Sequence, residues 1–161
     1  MTKRVNTFPK KEHLRGDVRI SSVMRTGKAF LVYPIKVVYS PDVEDERHAH
    51  CQITKIPPVR LMVAAPKRRL RHAVDRNLVK RRLREAYRTA KQPLFEKLLQ
   101  NNMRLLLIFR FVANEPQDFV SISKSVSKAL ARLIQIVDTQ EFRENMQASQ
   151  MRMLGSKESQ G

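Results

Sequence analysis

At 161 residues with 42% hydrophobic side chains, the chain is long enough for one ordinary domain with a modest core. Its 32 Lys and Arg against 15 Asp and Glu give a net charge of +17, which bears on partners rather than fold and points to nucleic acid, an anionic membrane surface or an acidic protein. No apolar run approaches the roughly 20 residues of a membrane span, and the single cysteine, Cys51, excludes an internal disulfide framework.

In chain order, residues 1–13 are basic and polar and read as a flexible arm. They lack the apolar stretch of a signal peptide, so we expect a cytoplasmic protein. Leu14, Ile20, Val23 and Met24 predict a short helix, with Gly27 as its stop. AFLVYPIKVVY (29–39) is β-branched and aromatic, a strand interrupted or edged by Pro34. Residues 40–58 form an acidic, proline-bounded loop, with room for a strand through Cys51–Thr54. VRLMVAA (59–65) is a second strand, stopped by Pro66.

A basic helix follows, from near His72 to Ala90. Val79, Leu83, Ala86, Tyr87 and Ala90 share one face, as expected of a helix packed on a sheet. Arg76, Asn77, Lys80, Arg81, Arg84 and Arg88 occupy the neighbouring arc. Residues 93–100 extend or restart this helix, and Asn101-Asn102 turns the chain. MRLLLIFRFV (103–112) is the strongest strand, and 119–137 places Phe119, Ile122, Val126, Ala129, Leu130, Leu133 and Val137 on one helical face. Residues 138–161 are weakly patterned and read as a C-terminal tail, disordered or a frayed helix. The expected fold is α+β: a single-domain sandwich over 14–137, with a small mixed sheet, about three helices and the basic helix in a crossover between strands.

Charge is concentrated at that helix. Residues 67–91 carry eleven Lys or Arg and two acids, whereas 138–161 carry three and four. A solvated face laced with salt bridges needs acids three or four residues from the bases, and only Glu85 supplies one. Like charges at the four-residue spacing of Arg76, Lys80, Arg84 and Arg88 each cost a few tenths of a kcal/mol. A polyphosphate removes that cost, because each neutralised phosphate releases counterions and Arg presents a fork suited to phosphate oxygens. The apolar face is needed by the flanking strands rather than by a membrane, and no helix precedes it across a short turn as a DNA-reading helix-turn-helix requires. Folded RNA gripped by backbone and shape fits best, with no membrane or DNA partner.

LRHAVDRNLVKRRLR (70–84) closely resembles the signature of the protein subunit of bacterial ribonuclease P. Leu70, Ala73, Arg76, Asn77, Val79, Lys80, Arg81, Leu83 and Arg84 fill the positions of that pattern, Leu78 replaces a frequent third Arg, and the resemblance extends over about residues 8–135. It implies a non-catalytic partner of a ribozyme: the large RNA holds Mg²⁺ and removes the 5′ leader of precursor tRNA, while the protein binds both RNAs. By the same resemblance Arg76, Asn77, Lys80, Arg81 and Arg84 face the catalytic RNA, and Arg88, on the same helical arc, is expected to bind RNA with them. Lys67 and Arg68 line the mouth of a leader-binding cleft, Tyr39 offers a stacking aromatic, and Ile20 and Met24 floor it. No catalytic residue and no protein-bound metal or other cofactor is expected.

Two rivals differ in class. One is a structural RNA-binding protein of the ribosome; the other is an auxiliary nuclease using carboxylates such as Asp42 or Asp75. HAHC (48–51) has ligand-type residues but lacks the second pair of a zinc site. Asp42, Glu44, Asp45 and Glu46 serve solubility rather than a cation site, and Met146, Met151 and Met153 belong to the tail.

Overall fold

The computed structural model describes residues 8–42 and 57–158, with the backbone alone for 150 and 153–158. The expectations for HAHC, for Glu44–Glu46 and for a strand through Cys51–Thr54 lie outside the described residues. A 3-10 turn (Lys10–Glu12) leads to helix α1 (Asp17–Thr26), strands β1 (Lys28–Val32), β2 (Ile35–Pro41) and β3 (Val59–Ala64), and helices α2 (Ala73–Ala90) and α3 (Gln92–Gln100). Strand β4 (Leu105–Phe111) and helices α4 (Phe119–Val137) and α5 (Gln140–Glu158) complete the chain. The fold is α+β as expected, with five α-helices rather than about three.

The four strands form one mixed sheet in the order β1-β2-β4-β3. β2 pairs antiparallel with β1 and β4, and β3 pairs parallel with β4. The parallel pair demands a crossover, which α2 and α3 supply. The stretch 29–39 is thus a hairpin: Pro34, which has no N–H for a ladder, sits in the turn, where the Tyr33-Pro34 bond is cis.

Strand alternation gives the sheet two faces. On one, Ile35, Val37, Tyr39, Leu105, Leu107, Phe109 and Phe111 meet the buried stripes of α2 and α4. On the other, Val38, Leu106 and Ile108 meet Val23 of α1 and Leu14. Leu14 is not part of α1; it precedes the helix and docks through a 3.0 Å N–H bond to the Leu61 carbonyl. Gly27 ends α1 as the sequence suggests, and for a steric reason: a Cβ there would collide with the carbonyl oxygens of Val23 and Tyr39. That contact fixes the tilt of α1 over the sheet.

The described parts of the arm and tail, residues 8–13 and 138–158, make contacts with the folded body. Phe8 stacks on His13 at 4.2 Å and meets Tyr87 edge-on at 5.4 Å. Glu12 is buried and receives a 2.5 Å bond from the ammonium of Lys91, itself only 3% exposed. Burial is the largest effect on Glu12 and raises its pKa, with Lys91 pulling the other way. Gln140–Glu158 is helical, and Phe142 and Met146 join the main core while Met151 stays exposed. The weak periodicity of α5 hides this, because two side chains anchor the helix rather than a continuous stripe.

Candidate nucleic-acid interface

Helix α2 is fixed by its inner face. Val79, Leu83, Ala86 and Tyr87 are each 0–1% exposed, and full burial of a large apolar side chain contributes about 1.5–3 kcal/mol. That outweighs the few tenths of a kcal/mol lost at each pair of like charges on the outer face. The helix therefore holds cations in a row that they would not adopt by themselves.

The row is not uniform. Arg76 turns back: its Nη1 donates to the carbonyl oxygens of Leu70 at 3.0 Å and Arg71 at 2.8 Å, tying the 66–72 loop to the start of α2. Arg88 binds the carboxylate of Glu85, with Nε to Oε2 at 3.0 Å, and the pair holds the Glu85 carboxyl below its usual range. Arg82 donates to the Gln117 carbonyl and Arg69 to Asn114. What remains presented is Asn77, Lys80, Arg81 and Arg84. Among the described residues none of these four makes a hydrogen bond or ion pair, and all but half-buried Lys80 are exposed. The Asn77 side chain is thus not spent on the helix start.

The N-terminal segment lengthens the row. His13 is held neutral-side, its pKa lowered first by burial and further by the charges of Arg15 and Arg84. Arg15, exposed, therefore lies near the Arg84 end of the comb. Among the described residues no carboxylate pairs with Arg15 or with the four side chains of the comb.

A cleft opens beside the comb on the α1 face of the sheet. Ile20 and Met24 of α1, Met62, Ala64 and Ile108 of the strands, Pro66, and the side chains of Lys80 and Arg110 enclose a cavity of about 510 Å³. Lys36 pairs with Arg110 in the β2–β4 register and points to the same face, as does Leu31, 58% exposed. The cleft has a greasy floor and cationic walls. Lys67 and Arg68 are exposed in the turn directly after Pro66.

Of the residues expected to line this cleft, Ile20 and Met24 do so, and Lys67 and Arg68 flank it. Tyr39 does not. It shares the opposite face with Ile35 and Val37, is 8% exposed, and packs against Phe30 and Phe142. Burial raises its phenol pKa. Period-two alternation from Ile35 already assigns it to that side. Lys36 and Arg110 are the functional candidates that the sequence reading missed, and their signal is the lone cation inside each apolar strand.

Asp42, directly after β2, and Asp75, on α2, are the carboxylates named for the nuclease alternative. Asp42 is buried 3.8 Å from Arg60, and its N–H bonds the Arg104 carbonyl. Asp75 lies in the first turn of α2. Among the described residues no three His, Cys, Asp or Glu side chains stand together.

Residues 8–134 match the family model described as Ribonuclease P. A protein named "Ribonuclease P protein component" from Porphyromonas gingivalis is 36% identical over 124 residues, which is 77% of this chain and 84% of that protein. One of the same name from Chlorobium phaeobacteroides is 36% identical over 91 residues, 56% of this chain and 58% of that protein.

Proposed function

The chain belongs to the ribonuclease P protein family, and on that premise we propose that it is the protein component of a ribonuclease P ribonucleoprotein, assisting endonucleolytic removal of the 5′ leader from precursor tRNA. The observation that carries this is the set of unpartnered side chains Asn77, Lys80, Arg81 and Arg84 on a helix whose other face is locked into the core. Such a comb loses nothing on meeting a folded RNA and gains by counterion release. Arg76 holds the comb's base, and Arg88 adds charge beyond its pairing with Glu85.

The α1-side cleft is the proposed seat of the leader. An unpaired strand can lay bases against Ile20, Met24 and Met62 while its phosphates meet Lys80, Arg110, Lys36, Lys67 and Arg68. Because Lys80 belongs to both comb and cleft, the two RNAs meet along one edge of the protein. Mg²⁺ held mainly by the catalytic RNA supplies the charge stabilisation and activated water for hydrolysis. The protein's own part is binding and orientation: it neutralises phosphate repulsion between substrate and ribozyme and sets where the leader runs. A cytoplasmic setting goes with that role, and among the described residues no helix is long and apolar enough to cross a membrane.

Reconstitution tests this reading. The purified chain alone should leave precursor tRNA intact, and adding a cognate catalytic RNA at low Mg²⁺ should release the leader. Cleavage by the RNA-free protein, or no effect of the protein on the ribozyme, overturns it. The ribosomal alternative is not favoured, since the family match covers nearly the whole folded region.

A further inference from the structure

We propose that the outer face of α4, with the β1–β2 turn at its end, is a second RNA-binding surface. It takes a single-stranded segment, with phosphates on Lys124, Lys128 and Arg132 and a base on Tyr33. These three cations recur every four residues along α4 and all are exposed. The 19 residues of α4 contain no Asp or Glu, so the face cannot balance its own charge. The acids at its two ends are already taken. Asp118, six residues before Lys124, has its pKa lowered by the Ser121 hydroxyl and feels the charge of Arg82. Asp138 binds Lys97 at 2.7 Å, and Glu141 binds Lys28 at 2.6 Å.

Between the cations lie Ser127 and Ala131, both small and exposed, which leave room for a phosphate backbone to approach. Successive cations are one helical turn apart, about 6 Å, a step that neighbouring phosphates of one strand can follow. The Arg132 guanidinium lies over the Phe30 ring, 4.5 Å from its centroid, a cation–π contact that restricts where the side chain goes before any ligand arrives.

The aromatic end is tied to the same row. Tyr33 is 62% exposed, and its carbonyl accepts a 2.8 Å bond from the Ser125 hydroxyl of α4. Contacts at Ser125–Tyr33 and Arg132–Phe30 show that β1 and α4 run antiparallel side by side, each advancing about 10 Å between them. Lys124 is therefore level with Tyr33, and an exposed ring stands where a cation row ends. Bases stack on such a ring regardless of sequence.

This surface is separate from the comb. α4 packs toward β1 and β2, one edge of the sheet, and α2 toward β3, the other edge. A chain binding RNA on both holds two segments at once. The inference rests on the proposed function only in choosing RNA among polyanions.

The test uses the full chain and a short oligouridine carrying 4-thiouridine. Photo-crosslinking should place an adduct on Tyr33, and K124Q/K128Q should abolish it. In a K80A/R84A background, which suppresses the comb, K124Q/K128Q should flatten log K against log salt by about 1.4, roughly 0.7 per lost phosphate contact. Both positions are exposed, so the variants keep the parent circular dichroism. Adducts confined to α2 and the cleft, or an unchanged slope, overturn the second surface. Binding lost on K80A/R84A and untouched by K124Q/K128Q likewise overturns it and leaves the comb standing. The reverse pattern supports it and removes the comb instead.

Discussion

Replacing Lys91 by Met keeps the aliphatic stem and removes the ammonium that meets Glu12. That ammonium is 2.5 Å from the Glu12 carboxylate and lies 4.8 Å from the Phe95 ring centroid and 5.9 Å from that of Tyr87, with both partners of the pair buried. Breaking a buried pair from one side strands the other charge and costs about 3–5 kcal/mol. In a chain of this size that is roughly 6–20 °C in Tm. The loss must depend on pH in a definite direction. Burial already raises the Glu12 pKa above its ordinary 4.5 in the fold, and without Lys91 it rises further. A raised carboxyl pKa means that the folded state holds the proton more tightly than the unfolded state. Glu12's contribution is therefore most favourable below 4.5 and is lost as pH climbs through the folded value. Urea titrations of parent and Lys91→Met should differ by several kcal/mol at neutral pH and converge below pH 4.5. Undocking of the N-terminal segment in the variant is read separately by trypsin cutting at Lys10 and Lys11. A penalty equal at both pH values, or under about 1 kcal/mol at neutral pH, refutes the reasoning.

Arg76→Ala should lose about 2 kcal/mol of stability, since two carbonyls lose a charged donor; Lys80→Ala and Arg84→Ala should stay within about 0.5 kcal/mol of the parent in the same denaturation assay. Phe142→Ala should cost about 3 kcal/mol by thermal melting, because α5 is held to the core by Phe142 and Met146. Lys36→Gln with Arg110→Gln should weaken binding of a leader oligonucleotide while leaving affinity for the catalytic RNA unchanged, measured by competition.

The sheet and the two long helices were legible because each has a strong local period. In α2 and α4 the apolar stripe predicted from spacing is buried except at its ends: Phe119, in the first turn of α4, is 40% exposed, and Ala90, at the end of α2, is half-buried. β4 announces itself as an almost continuous apolar run, as a central strand covered on both faces must. The hairpin at Tyr33-Pro34 was half legible: Pro34 signals an interruption, but only pairing shows which strands it joins. The Glu12–Lys91 pair was beyond reach, since 79 residues separate its members and neither has a local cue for burial. α5 was hidden for the reason that two anchors, Phe142 and Met146, make no period. For the site, composition identified the helix, but not which cations are spent internally. Arg76 looks like a comb tooth in sequence, and its carbonyl partners depend on how the loop at 66–72 returns to α2.

The most direct measurement is the salt dependence of binding to the catalytic RNA for the parent and for Lys80→Ala/Arg84→Ala. Two cations that neutralise phosphates predict a slope of log K against log salt flatter by about 1.4–1.8, at roughly 0.7–0.9 per contact, with the cleavage position unchanged. A parent-like slope and affinity in the double variant would contradict an α2 surface built to meet RNA.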